Sequence, residues 1–398
     1  MSDDHGGCGR RWHGVDHRGR IRSSPCTRIL AWQIRCDDLV SEPLELGPQK
    51  IPAPRTVVGA VDQNEAHGRR SAEVVNTSAA ASKLRKMALR IFTEPQQGAS
   101  YDQLLAIART AEECGFSAFF RSDHLLKMGA ATGEPGYTDA WVTLAGLARD
   151  TETIRLGTLV TPVTFRPVGT LPVLAAQVDH MSAGRLEIGL GAGWYAAEHE
   201  AYGLPFPPIA TRYDLLEDQL AILHGAWSAP DGAAFELSGR TCTVRLEADR
   251  MRPLQQPHPP IVLGGMGGPR ASRLAATYAD EFNTSFKPAA VTQGIFESVK
   301  RACERAGRDP ASMVWSAGQV LCCGQSESEV SRRAAAIHRE VDELRANGLA
   351  GSPDEVLEKM GVLADHGVER FYLQVLDITD LDHLRLVAEE ILPHAPGR

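Results

Sequence analysis

The chain has no stretch approaching the ~18 consecutive apolar residues of a membrane span, and its N-terminus lacks the apolar core of a secretory signal. A cytoplasmic protein without a membrane partner is expected. Positive charge is not in surplus: 42 Lys and Arg stand against 50 Asp and Glu, a formal net charge of −8. That argues against a nucleic-acid-binding surface. The eight cysteines contain no C-x-x-C pair, so no metal-ligand set of that kind is expected. Cys114 and Cys303 read as helix packing. Adjacent Cys322 and Cys323 read as two alternately facing strand residues. Cys8, His13 and His17 have finger-like histidine spacing but lack the partnering cysteine pair. No G-x-S-x-G occurs, which removes an esterase-type nucleophile. No G-K-[ST] occurs either, which removes a phosphate-loop nucleotidase.

What is present is a 398-residue chain with 43% hydrophobic and 23% charged residues. That composition is globular, and the length suits one barrel of ~250 residues with insertions. Residues 1–86 differ from the rest. They carry more Lys and Arg than Asp and Glu and show no sustained periodicity. Such a segment buries too little surface to offset its ordering entropy. It is expected to be a disordered extension, or to precede a true start at Met87.

From Met87 onward, strand-like runs and helical patterns alternate. The runs are 88–93, 117–122, 154–160, 185–190, 260–264, 281–285, 313–321 and 369–376. Leu104, Leu105, Ala108 and Ala111 keep helical spacing up to Gly115, a C-terminal cap. Ser352-Pro353-Asp354-Glu355 is a helix start with a cap, Pro at the first position and acids in the first turn. A helix is predicted over 214–227, opened by Thr211 or Asp214. Eight strands alternating with helices predict a parallel sheet, and eight is the number that closes a barrel. The fold class expected is α/β, a (β/α)8 TIM barrel occupying 87–398. Segments 124–138, 191–211 and 228–260 are insertions, the long loops at the C-terminal rim where catalytic residues gather in such barrels.

Three stretches carry candidate chemistry. Gly264-Gly265-Met266-Gly267-Gly268-Pro269-Arg270 follows a strand and opens a helix. Glycines let backbone approach an anion, helix N-terminal amides attract phosphate, and Arg270 could add a charge-assisted bond. A plain strand-to-helix turn is the alternative. The dinucleotide fingerprint is incomplete, because Arg270 holds its third glycine position. Gly189-Leu190-Gly191-Ala192-Gly193-Trp194 reads either as a strand end thinned for a flat cofactor beside Trp194, or as glycines required by barrel curvature. Ser122-Asp123-His124 closes the second strand. A His there can move protons near neutral pH, held by an adjacent carboxylate; a structural loop histidine fits equally. Glu198, His199, Glu200 and His258 lie on rim segments and form no metal-ligand set. No metal is expected.

Leu156–Arg166, Gly184–Trp194, Gly264–Arg270 and Ser122-Asp123-His124 together resemble the bacterial luciferase-like superfamily, over essentially all of 87–398. Within it they most resemble the branch that uses coenzyme F420, a deazaflavin. Met87 sits where such proteins usually begin. The resemblance implies a non-proline cis peptide at Leu159–Val160, at the third-strand bulge that backs the cofactor ring. It implies cofactor contacts from Leu159, Val160, Thr161, Gly191, Gly193, Trp194, Gly264, Gly265, Met266, Gly267 and Gly268. It makes His124 the proton-transfer residue, with Asp123 orienting it. The implied activity is hydride transfer between C5 of F420 and a small organic substrate. The alternative is an FMN-dependent monooxygenase. A homodimer is implied as well. Sugar-phosphate dehydrogenases of this branch carry a Glu where this chain has Trp194, which argues against a sugar-phosphate substrate.

Overall fold

The structure, a computed structural model, describes residues 88–394. The expectations for 1–86 fall outside these residues. The eight barrel strands are β1 Ala88–Thr93, β2 Ala118–Arg121, β3 Arg155–Thr158, β4 Leu186–Gly191, β5 Ile261–Gly264, β6 Glu281–Ser285, β7 Val314–Cys323 and β8 Arg370–Val375. Every neighbouring pair around the ring is parallel, and the β6–β7 and β8–β1 pairings close it. The expected (β/α)8 barrel is therefore the observed one.

Local sequence explains where the surrounding helices begin. The helix α1, Tyr101–Glu113, starts in a capping box between Ser100 and Gln103. It ends at Gly115, whose φ of 83° admits the chain reversal. The helix α2, Ala140–Asp150, is capped by Asp139, and α3 is Leu171–Met181. A short helix α4, Ala196–Ala201, and the long α5, Ile209–Ser228, follow β4. The helix α6, Pro269–Tyr278, follows β5, and α7, Ala289–Arg305, follows β6. Two helices, α8 Glu327–Ala336 and α9 Val341–Asn347, follow β7, and a second capping box, Ser352 with Glu355, starts α10, Pro353–Asp365. The helix α11, Leu381–Glu390, follows β8. No described helix is long and apolar enough to cross a membrane.

Several strand ends shift by one to two residues from the sequence reading, and two larger differences stand out. The helix expected to start at Thr211 or Asp214 starts at Ile209, after Pro208, with no side-chain cap to mark it. The irregular stretch 228–260 contains an antiparallel hairpin, Phe235–Ser238 with Thr243–Leu246. Its turn is held by Asp218 of α5, which accepts from the Arg240 and Thr241 amides and the Thr241 hydroxyl.

Outward-facing strand residues pack under the helices in the main core, while Phe92, Phe120, Val262 and Tyr372 face inward and fill the barrel. Cys323 belongs to the main core and Cys322 to a separate cluster, as alternation along a strand requires. Burial pushes the Cys323 thiol up to about 12. Toward the amino ends of the strands the interior turns ionic. Arg90 is paired with Glu187 and donates to the Tyr372 hydroxyl at 3.0 Å, and Arg155 pairs with the same Glu187. Burial alone would raise the Glu187 pKa. The facing Arg90 charge overrides it, with Arg155 and Arg370 adding, and Glu187 is pulled down to about 2. This ionic layer fills the amino end of the barrel interior, where Arg90, Arg155 and Arg370 also border a cavity.

Candidate active site

The carboxyl ends of β2, β3, β4 and β5 bring the expected segments together. The Leu159–Val160 peptide is cis, at the place the resemblance implied. Its Val160 side chain nests over the glycines of β4 and β5. A Cβ on Gly189 would lie 3.2 Å from Val160 Cγ1 and 1.8 Å from the Thr158 carbonyl oxygen. A Cβ on Gly191 would lie 2.8 Å from Val160 Cγ2, and one on Gly264 would lie 3.6 Å from Cγ1. The thinning of the β4 end thus makes room for the bulge itself. Gly191 is buried beneath Val160 and serves that contact. Gly193, with φ of 78°, turns the chain toward Trp194, and its carbonyl accepts from Arg212 at 2.5 Å.

Beyond β5 the turn opens. A Cβ on Gly265 would meet nothing closer than 3.7 Å, and one on Gly268 would meet nothing within 4 Å. Met266 is exposed, and Gly267 has φ of 66°. Gly268 is the N-cap of α6 and offers no side chain to the first-turn amides. An open glycine edge beside uncapped helix amides suits a phosphate group. Arg270 does not join it. Its guanidinium donates to the Ala210 carbonyl at 2.9 Å and to Asp214 at 2.6 Å, both on α5, and so ties α6 to α5.

His124 stands at the end of β2, half-buried. Its Nδ1 lies 3.0 and 3.1 Å from the two oxygens of Glu198, which is only 1% exposed on α4. The same carboxylate accepts the Leu125 amide at 3.0 Å. The expectation that Asp123 orients His124 is therefore corrected: Glu198 holds the imidazole. Asp123, also buried, accepts from the Thr161 hydroxyl at 2.9 Å and from Arg166 at 2.6 Å. Arg166 bridges onward to Asp139, the cap of α2. Thr161 likewise turns its hydroxyl into this network and receives the Trp141 indole N–H at 3.1 Å, so its side chain braces the bulge. Adjacency in sequence suggested the wrong carboxylate because, in the loop past β2, Asp123 turns to Thr161 and Arg166 while His124 turns to α4.

Sequence reasoning also missed Glu94, one residue past β1. Burial raises its pKa, offset by the charge of nearby His124 and by hydrogen bonds from Gln97 and Gln374. The signal available was an acid at the carboxyl end of a barrel strand. Aromatic rings complete the mouth. Trp194 is 66% exposed and stacks on Tyr195, with centroids 5.2 Å apart at 20°, and its indole meets the His124 ring edge-on at 5.8 Å. With Nδ1 committed to Glu198, Nε2 is the His124 nitrogen left to exchange a proton.

Comparison with known proteins agrees with this geometry. Residues 87–373 match the family model described as luciferase-like monooxygenase. An F420-dependent glucose-6-phosphate dehydrogenase from Microbacterium testaceum is 30% identical over 210 residues. That is 52% of this chain and 60% of the relative, so the match spans less than two thirds of the relative's length. Among solved structures, an F420-dependent secondary alcohol dehydrogenase in complex with an F420–acetone adduct overlays with a TM-score of 0.66 at 17% identity, covering 78% of this chain and 99% of the other. The F420-dependent tetrahydromethanopterin reductase of Methanopyrus kandleri overlays at 0.65 with 18% identity, covering 78% and 99%. A type II Baeyer–Villiger monooxygenase of Pseudomonas putida in complex with FMN overlays at 0.65 with 17% identity and the same coverage. At these identities the three overlays establish a shared fold.

Proposed function

The chain belongs to the luciferase-like monooxygenase family, and we propose that within it this protein is an oxidoreductase that uses the deazaflavin coenzyme F420. The cofactor supplies a two-electron hydride exchange at C5 of its ring. This chain's residues bind and orient it and handle the accompanying proton. The open glycines Gly265 and Gly268 and the uncapped α6 terminus fit its phosphate. The Leu159–Val160 bulge braces the ring, and His124 holds the proton at Nε2.

The observation that carries this reading is the His124–Glu198 pair at the mouth. A buried carboxylate fixes an imidazole in one orientation beside the exposed Trp194 indole, which is an arrangement for proton transfer. The relative that shares 30% identity is named for F420, which favours the deazaflavin over FMN. Its named substrate is not transferred, because Trp194 replaces the acid of sugar-phosphate dehydrogenases.

The test is aerobic. Reduced F420 and, separately, reduced FMN are mixed with the protein, with oxygen as the only acceptor. The deazaflavin is expected to stay reduced until an organic acceptor is added. Rapid oxygen consumption with reduced FMN at protein-dependent rates would instead establish a monooxygenase.

A further inference from the structure

We propose that Trp194 is a specificity-determining platform, and that it selects an uncharged, ring-bearing carbonyl compound or the matching alcohol as substrate. This rests on the proposed redox role of the same mouth and adds the class of molecule that enters it.

The first observation is exposure. Trp194 lies at the carboxyl end of β4 with 66% of its surface open, stacked on Tyr195 and edge-on to His124. Isolated exposed apolar side chains are ordinary. An indole braced by a second ring, within 6 Å of a proton-transfer imidazole, is a surface against which a flat molecule can lie. The bracing is firm: the Tyr195 hydroxyl donates to the Lys127 carbonyl at 3.1 Å, and its own carbonyl is bonded by His199 at 2.8 Å.

The second observation is charge. The cations around this shelf are already engaged. Lys127 donates to the Ala131 carbonyl at 2.8 Å, and Arg166 is held by Asp123 and Asp139. Arg212 bonds the Gly193 carbonyl and covers the Phe206 ring at 3.9 Å. Glu198, buried and paired with Nδ1, stands behind the His124 ring. A phosphate or carboxylate lying on the indole would find Lys127, Arg166 and Arg212 already committed to other partners. A neutral ring finds stacking, and its carbonyl oxygen finds a donor in His124.

In the reductive direction bound reduced F420 would supply a hydride to the carbonyl carbon and so be oxidised, with the C=O π pair passing to oxygen. The carbonyl oxygen receives the His124 proton and becomes a hydroxyl. His124 is then reprotonated from solvent, and the reverse steps oxidise the alcohol.

Calorimetric titration decides it, using acetophenone, cyclohexanone and glucose 6-phosphate. Each is titrated into the protein alone and into the protein saturated with F420, for wild type, Trp194→Ala and Trp194→Phe. The neutral rings are expected to bind and the sugar phosphate not to. Trp194→Ala should weaken the acetophenone Kd by about tenfold, the scale of a lost ring stack. Trp194→Phe should stay within roughly threefold of wild type, and F420 affinity should shift less than that in both variants. Because Trp194 is exposed, neither variant threatens folding. Binding of glucose 6-phosphate in preference to the rings, or an unchanged acetophenone Kd in Trp194→Ala, overturns the proposal. So does a loss of F420 affinity with ring binding intact, which would make Trp194 a cofactor residue. Failure of F420 to bind while acetophenone still depends on Trp194 would overturn the deazaflavin reading and leave the substrate class standing.

Discussion

His124 and Glu198 meet at 3.0 Å across 74 residues of chain, one leaving a barrel strand and the other riding the short helix beyond β4. The carboxylate is buried and also takes the Leu125 amide, so neither partner swings freely. A carboxylate behind an imidazole fixes its tautomer and steadies the charged form during turnover.

Glu198→Gln is therefore expected to lower kcat by roughly a hundredfold, within the range for general acid–base catalysis. The F420 Kd should be unchanged. Asp123→Asn should act differently, through stability, because that carboxylate is committed to Arg166 and Thr161. Steady-state kinetics and thermal melts on the two variants separate the roles. Equal loss of kcat without loss of stability in Asp123→Asn would restore Asp123 as the partner.

The floor of the barrel sets a second expectation. Arg90 is 3% and Glu187 2% exposed, so removing one charge strands the other in the interior. Glu187→Gln should destabilise the fold at neutral pH by about 3–5 kcal/mol, the cost of breaking a buried pair. The folded Glu187 pKa is depressed, from 4.5 to about 2. Its contribution is thus fully present above 4.5 and is lost as pH falls through that window. Urea unfolding of wild type and variant should converge at the acidic end. A constant gap across the window would contradict the assignment.

His383 titrates in the same sense in a higher pH window. It accepts the Cys323 amide at 2.9 Å through Nε2, and burial lowers its pKa from 6.5 to about 4. Unfolding therefore takes up a proton as pH drops below 6.5, and stability declines toward pH 4, by up to about 3 kcal/mol. His383→Gln should flatten this slope in chemical unfolding followed against pH. An unchanged slope would place the effect elsewhere.

Gly268→Asp tests the phosphate edge with paired readouts. Aspartate is a good helix cap, and the position has room for it. Stability should hold or rise slightly, while F420 affinity falls by about a hundredfold through charge repulsion at the phosphate. Retained affinity would move the phosphate away from this turn.

The eight strands were legible because strands covered on both faces read as continuous apolar runs. Ile261-Val262-Leu263 is such a run, fully buried or nearly so, while Leu186–Leu190 is apolar except for the ion-paired Glu187. The hairpin was not legible. Its strands are four residues long and alternately exposed, with Glu236 and Arg245 outward, and its turn depends on Asp218 from another helix. The start of α5 carried no mark, since Pro208 caps without a side chain and Ile209 is exposed. At the site, the glycine segments stood out in the sequence itself, and the cis bond position followed from family resemblance. The partner of His124 did not, because it is set by how α4 crosses the mouth. Arg270 looked like a phosphate ligand on sequence grounds, but Asp214 and Glu217 outcompete that role from α5.

Deazaflavin use is tested most directly by fluorescence titration of the purified protein with F420 and, separately, with FMN. Saturable F420 binding is expected, with FMN weaker by about a hundredfold or more. FMN binding as tight as or tighter than F420 would contradict the account and turn the search to oxygen-dependent substrates.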